Sequence, residues 1–210
     1  MRYRELLLLW NEKMNLTAIT DPQEILVKHF LDSLLTAKAL PLYDKASLAD
    51  VGCGAGFPSI PLGIYRPALS LTLIDSLGKR LRFLDEVISE LGLSARTVHA
   101  RAEEAGRKAE HREQYDFVTA RAVAAMPVLC EYCLPLVKTG GFFAALKGPE
   151  VELELDGARV AIQTLGGTLE EIQRFTLPDG SGRSIVVIQK TASTPQKYPR
   201  PSAQIAKKHL

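Results

Sequence analysis

One stretch constrains this chain more than any other: Asp50-Val-Gly-Cys-Gly-Ala-Gly-Phe-Pro-Ser-Ile-Pro-Leu-Gly-Ile64. Leu48, Ala49 and Val51 read as a short buried strand, and the glycines Gly52, Gly54 and Gly56 as a loop that needs unusual backbone angles and close ligand approach. The residues that follow read as a helix. Pro58 suits its first turn, and Pro61 must lie near that turn too, because a proline further in removes an intrahelical hydrogen bond. The unit is strand, glycine loop, helix, with free helical N–H groups aimed at whatever binds there.

Two ligand classes use such a unit. Dinucleotide enzymes space their glycines as G-x-G-x-x-G, whereas this loop is G-x-G-x-G and Phe57 fills the third dinucleotide position. An acidic strand end, Asp50, followed by that spacing resembles the first motif of Rossmann-like methyltransferases, whose loop passes under the methionine part of S-adenosylmethionine. A glycine triplet alone also serves a tight turn with no ligand, so the next strand decides. Leu69-Ser-Leu-Thr-Leu-Ile-Asp75 reads as a buried strand ending in a carboxylate about twenty residues past the glycines, where a ribose-hydroxyl acceptor belongs. Loop and carboxylate together favour a nucleoside ligand.

The rest of the chain keeps the beat. Leu81, Leu84, Val87, Ile88 and Leu91 recur at helical spacing over 79–91, and Gly92 ends that helix. Strands are predicted at 96–100, 115–120 and, after the Gly140-Gly141 turn, 141–146, with a helix over 123–134. Then come a helix over 151–165 and two strands, 167–176 and 183–190, joined across a turn-rich link that suits an antiparallel pair. Ahead of the core, 2–16 and the stretch from Asp21-Pro22 through Leu35 read as a small helical cap. Strands that are apolar on both faces imply a mostly parallel sheet with helices on both sides. The fold class is α/β.

At 210 residues, 46% of them hydrophobic, the chain is enough for one well-cored domain with an appendage. No apolar run reaches a membrane span, and three cysteines in an ordinary composition argue for a reducing compartment, so a cytoplasmic protein without a membrane partner is expected. Net charge is only +2, but the last twenty residues carry Lys197, Arg200, Lys207 and Lys208 and no acid. That leaves 22 basic and 24 acidic residues before them. With Pro195, Pro199 and Pro201 the tail should lie extended on the surface, either as a polyanion contact or as a solvated end.

Ligands of open α/β sheets collect at the carboxyl ends of the strands. Those ends hold Asp75, Ser76 and Leu77, then Ala102 and Glu103, then Arg121, then Lys147 and Gly148. Glu103 can accept from an adenine amino group or cap the short helix after it. Arg121, amid Ala120, Ala122 and Val123, should hold a carboxylate or phosphate unless it forms a structural ion pair. Cys130-x-x-Cys133 lacks a second pair of metal ligands and is expected to be core packing, Cys53 has no neighbouring histidine to activate it, and no metal spacing or G-x-S-x-G elbow occurs.

A wider resemblance follows from Trp10-Asn11 with Asn15-Leu-Thr-Ala-Ile19, His29 with Asp32-Ser-Leu34, and the glycine loop through Leu62. Asp75-Ser76, Lys79-Arg80, Phe83-Leu84, Arg101-Ala-Glu103, Arg121-Ala-Val123, Gly140-Gly141, Lys147-Gly148 and Tyr198-Pro-Arg200 continue it in order. Together they resemble the bacterial small-subunit ribosomal RNA guanine-N7 methyltransferases, also called glucose-inhibited division protein B. Cys53 and Ser59 stand where members commonly have Ser and Gly, and the amino end before Trp10 is shorter than usual.

The resemblance implies a Rossmann-like class I methyltransferase of seven strands with an antiparallel last strand, and one domain over 1–210: a cap at 1–40, a core at 41–190 and a basic extended tail at 191–210. It implies methyl transfer from S-adenosyl-L-methionine to N7 of one guanosine in 16S ribosomal RNA. Cofactor contacts would be Gly52, Gly54, Gly56, Phe57, Asp75, Ser76, Leu77, Ala102, Glu103 and Arg121. The RNA, free or within the small ribosomal subunit, would meet Lys147, Arg200, Lys207 and Lys208, with Arg121 and Lys147 positioning the base. A monomer is expected.

No dedicated catalytic residue is needed. Guanine N7 already has an accessible lone pair, so in-line displacement at a sulfonium methyl requires positioning more than a general base. The chain also lacks the polar-Pro-Pro-aromatic run of adenine-N6 enzymes, having Thr119-Ala-Arg-Ala-Val123 in its place, and Cys130 and Cys133 lie too far along for a pyrimidine nucleophile. Two other readings are a non-catalytic RNA-binding protein that keeps the loop as a turn, and a small-molecule methyltransferase with an incidental tail. Absence of S-adenosylmethionine binding would favour the first.

Overall fold

Apolar residues at consecutive positions give each core strand two faces to bury. The computed structural model, which describes residues 2–210, does so with seven strands in one sheet. They are β1 (Ser47–Val51), β2 (Ser70–Asp75), β3 (Ala95–His99), β4 (Tyr115–Arg121), β5 (Val137–Lys147), β6 (Gly167–Thr176) and β7 (Gly182–Lys190), in the order β3-β2-β1-β4-β5-β7-β6. Only β7 is antiparallel to its neighbours, β5 and β6. The sheet is the mostly parallel one expected.

The helices are α1 (Arg2–Asn11), α2 (Pro22–Ile25), α3 (Asp32–Leu34), α4 (Thr36–Ala39), α5 (Ser59–Tyr65), α6 (Gly78–Leu91), α7 (Ala102–Ala105), α8 (Met126–Cys133), α9 (Glu152–Thr164) and α10 (Ser202–Lys207). Residues Leu26–Leu31 between α2 and α3 form a π-helical segment. One sheet face, with Leu48, Leu73, Phe117 and Val187, packs with Leu7 of α1, Ile60 of α5 and Phe83 of α6. The other, with Ala49, Val118, Phe143 and Val186, packs with Leu129 of α8 and Ala158 of α9. Cys130 and Cys133 belong to that second core, and burial pushes the Cys130 thiol up to about 12.

Four expectations are corrected. The first helix stops at Asn11 rather than running to 16, because the Asn11 side chain accepts from the N–H groups of Leu16 and Thr17 at 2.8 and 2.9 Å and turns the chain. The helix expected from Val123 starts at Met126, since Ala122 has a φ of 57° and Pro127 belongs in a first turn. Gly140 and Gly141 make a bulge inside β5, not the turn before it: pairing jumps from Tyr115–Val137 to Phe117–Phe142, and a Cβ on Gly141 would lie 2.5 Å from the Asp116 carbonyl.

The tail is not an extended surface segment. Arg112 donates to the carbonyls of Thr194 and Tyr198 at 2.7 and 2.8 Å, Tyr198 is buried in the second core, and α10 buries Ile205. Buried Lys190 donates to Thr194 Oγ1 at 2.8 Å and to Glu113 at 3.0 Å. Buried backbone and charge need partners, and the tail supplies them.

Among the described residues no helix is long and apolar enough to cross a membrane.

Candidate functional site

The carboxyl ends of β1, β2 and β4 meet where the strand order reverses, at the β1–β4 pair, which is the switch point of an open sheet. The glycine loop leaves β1 there. Gly52 has a φ of +64°, and a Cβ on it would lie 2.7 Å from Val123 Cγ2, so only glycine admits the chain this close to the β4–α8 loop. Asp75, at the end of β2, holds the loop from the other side: its Oδ2 accepts from Gly54 N–H at 3.0 Å and its Oδ1 from Leu77 N–H at 2.9 Å. Arg80 Nη1 also lies 3.4 Å from Oδ2, and since a carboxylate has about four acceptor positions Asp75 retains capacity for one ligand hydroxyl.

These residues open onto a cavity of about 270 Å³ lined by Gly52, Asp75, Ser76, Ala102 and Glu103. All five are sequence-predicted. Arg80, Val123 and Tyr132 also line it and were not anticipated. Tyr132 sits on α8, within the helix expected over 123–134, and its place on a helix facing a strand end was the only available signal. Glu103 is buried, and the capping role is taken by its neighbour, whose Oε2 accepts from Arg101 N–H at 3.3 Å. The Glu103 carboxylate is therefore free for a ligand amino group. Leu77 is half exposed in an adjoining depression with Asn15 and Lys79.

Asp50 faces no ligand. It is fully buried under the loop, accepting from Ser59 Oγ at 2.7 Å and Thr119 Oγ1 at 3.0 Å, and burial raises its pKa to about 6 against those bonds. A carboxyl whose folded pKa exceeds its unfolded value near 4 stabilises the fold fully below that value, and the stabilisation is lost as pH rises through 6. Wild-type stability should fall by about 3 kcal/mol relative to Asp50→Asn between pH 4 and pH 7, for a shift from 3.8 to about 6. Urea unfolding of both proteins across that range checks it; parallel curves would show that Asp50 does not titrate there.

A second cavity, about 380 Å³, opens past Ala122, which lines both. Its wall holds His29, Asp32, Arg121, Lys147, Arg183 and Ser184, so the cap and the core meet in it. Arg121 lies here rather than in the first cavity. Its Nη1 donates to Asp32 at 3.0 Å, its Nη2 lies 3.3 Å from His29 Nδ1, and its guanidinium sits 5.0 Å from the Phe57 ring. Arg183 completes the group, 3.2 Å from the other Asp32 oxygen. His29 stacks on Phe57 with centroids 4.6 Å apart, and burial with the Arg121 charge lowers its pKa to about 4. It is therefore neutral at ordinary pH, with Nδ1 between Arg121 Nη2 and the Lys28 carbonyl, 3.2 Å from the latter, and Nε2 2.8 Å from Thr17 Oγ1.

Several predicted contacts are placed elsewhere. Phe57 and Gly56 face the cap, not the first cavity: Phe57 is wedged among Tyr3, His29 and Phe30, and a Cβ on Gly56 would strike Ile60 and Leu84. Lys147 donates to the Ala124 carbonyl at 2.8 Å and pairs with Glu154 at 2.7 Å, and Glu154 also accepts from Met126 N–H, so Lys147 staples the β4–α8 loop. Arg200 is committed to Glu131, which is fully buried and accepts from its N–H, Nε and Nη2 at 2.8, 2.9 and 2.6 Å. Of the predicted RNA cations only Lys207 and Lys208 are exposed. A larger cavity, about 740 Å³, borders Pro67 and Ser94 at the amino ends of β2 and β3, the wrong end of the sheet for a ligand of this fold. Among the described residues no group of His, Cys, Asp and Glu is arranged to hold a metal ion.

The family described as GidB, rRNA small subunit methyltransferase G, matches residues 1–184. A ribosomal RNA small subunit methyltransferase G of Alkaliphilus metalliredigens is 52% identical over 212 residues, spanning 100% of this chain and 89% of its relative. One from Geobacillus is 53% identical over 201 residues, 95% of this chain and 84% of the relative. Among solved structures, M. jannaschii TYW2 in complex with AdoMet superposes with a TM-score of 0.57 at 16% identity, covering 75% of this chain and 74% of that one. The [4+2]-cyclase SpnF reaches 0.61 at 15% identity, covering 79% and 81%. At such identities the likeness is one of fold.

Proposed function

Because the chain belongs to the rRNA small subunit methyltransferase G family, we propose that it transfers a methyl group from S-adenosylmethionine to N7 of one guanosine in 16S ribosomal RNA. It is an S-adenosylmethionine-dependent methyltransferase of small-subunit ribosomal RNA. The observation that carries the finer reading is the pair of cavities that share Ala122 at the switch point of the sheet. One has the groups a nucleoside cofactor needs, and the other has cations and a flat aromatic wall beside it.

The first cavity fits the cofactor. Gly52 lets the loop lie against Val123 and border the cavity, Asp75 has acceptor capacity for a ribose hydroxyl, and the free Glu103 carboxylate suits an adenine amino group. When bound, S-adenosylmethionine supplies an electrophilic methyl on a sulfonium. The chain's own work is to position. Lys147 and Glu154 hold the β4–α8 loop, and Asp32 orients Arg121 at the mouth of the second cavity. N7 carries no proton in neutral guanine, so its attack requires no base, and His29, being neutral, adds no charge against the cationic product. A loop nucleotide, unstacked, is the form in which N7 can reach such a cavity.

We take the chain to act as a monomeric cytoplasmic protein, with its cap, core and tail working as one unit. The test is direct. 16S RNA from cells lacking the gene should lack one 7-methylguanosine, and purified protein with S-adenosylmethionine should restore it. An unchanged nucleoside content in those cells, or methyl transfer to another atom, would overturn the reading.

A further inference from the structure

The amino-terminal helix touches the glycine loop at one polar point. The Tyr3 hydroxyl of α1 donates a hydrogen bond to the carbonyl of Ala55, in the middle of the loop. Tyr3 is 3% exposed, and its ring lies 5.2 Å from that of Phe30 and 5.3 Å from that of Phe57, so the hydroxyl is held by packing from the cap and the loop alike. Burial pushes the phenol well above its usual pKa, which keeps it a donor at all working pH values.

We propose that Tyr3 is a positioning residue for the cofactor, setting the orientation of the Ala55–Gly56 peptide and with it the shape of the glycine loop. Two hydrogen bonds restrain that peptide. Its N–H, on Gly56, donates to the Cys53 carbonyl at 2.7 Å, and its C=O has Tyr3. One of the two torsions that turn this peptide plane is the φ of Gly56, +92°, and glycine reaches both signs of φ with little cost, so the backbone at Gly56 does not by itself fix the plane. Rotation would move the loop away from the form in which Gly54 N–H meets Asp75. The Tyr3 hydroxyl holds it from the side away from the cavity. α1 is thus part of the cofactor site without lining it.

The inference rests on reading the first cavity as the S-adenosylmethionine site, and the measurements separate the two. Wild-type protein is titrated first by calorimetry; no S-adenosylmethionine binding there would sink the site assignment. In Tyr3→Phe the ring packing stays and the hydroxyl goes, leaving the buried carbonyl unpaired. Cofactor affinity should weaken about tenfold, the effect of a competent loop population that falls to about a tenth. The methylation rate at saturating cofactor and the KM for RNA should stay within about twofold.

Leu7→Ala serves as comparator, since Leu7 is fully buried on the same helix and its side chain has no polar atom to bond the loop. It should lower the unfolding temperature more than Tyr3→Phe does and leave affinity within about twofold. Equal affinity for wild type and Tyr3→Phe, or equal weakening by both variants, would overturn the proposal. Coupling is reciprocal, so S-adenosylmethionine should also slow amide hydrogen exchange over residues 2–9 of the wild-type protein. This needs no variant to fold, and unchanged exchange there would equally overturn it.

Discussion

Asp75→Ala should abolish useful cofactor binding, weakening S-adenosylmethionine affinity by about 100-fold or more in calorimetry. Two contributions add. A ligand hydroxyl bonded to a carboxylate contributes roughly 1.5–3 kcal/mol. Removing the side chain also frees Gly54 N–H and Leu77 N–H, so the loop loses the anchor that keeps it against the cavity. Asp75→Asn separates these effects. Its amide oxygen still accepts from one of the two N–H groups, so the loop is partly held while the charge on the ribose is gone. An intermediate loss is expected, with cooperative unfolding retained in both variants. An affinity unchanged in Asp75→Ala would remove the carboxylate from the site altogether.

Arg200→Ala should cost stability and spare RNA binding. Glu131 is fully buried and takes all three of its bonds from Arg200, two of them from the guanidinium. Truncating one partner of a buried pair leaves the other charged and unsolvated, at roughly 3–5 kcal/mol. For a chain of this length that is a fall of about 10 °C in unfolding temperature. Glu131→Gln on top of Arg200→Ala should recover much of it, since the stranded charge is then gone. If Arg200 instead clamps RNA, the single variant keeps its unfolding temperature and its binding loses roughly 0.7–0.9 from the log-log salt slope. The geometry favours the first outcome, because the charge of a guanidinium held at 2.6 and 2.9 Å by a buried carboxylate is already answered.

What could be read from the sequence was what is local. The glycine loop, the strand ending in Asp75 and the helix ending at Gly92 each depend on residues within a few positions, and all stand where the spacing put them. β6 even keeps its bounds, Gly167–Thr176. The roles of charged side chains were harder, because a partner distant in sequence leaves no mark beside the residue. Arg121 reads as a ligand-binding cation until the cap brings Asp32 to within 3.0 Å of it. Asp50 reads as a strand-end acid until Ser59 and Thr119 close over it. Lys147 is answered by Glu154 one helical turn into α9. α10 escaped for another reason: a six-residue helix between a proline and the chain end buries only Ile205, and one apolar residue makes no period.

The order in which a ribosome delivers these residues gives the tail a further meaning. Every partner of the Glu131 side chain lies at position 200, and Lys190 finds Thr194 only four residues after its own strand ends. All seven strands are therefore synthesised before the buried acid on α8 can be neutralised. Until then the nascent chain holds a sheet with an unanswered charge beneath it, and it gains from staying open there. The second core therefore closes last, behind residues 194–200 and after all seven strands of the sheet they lie against.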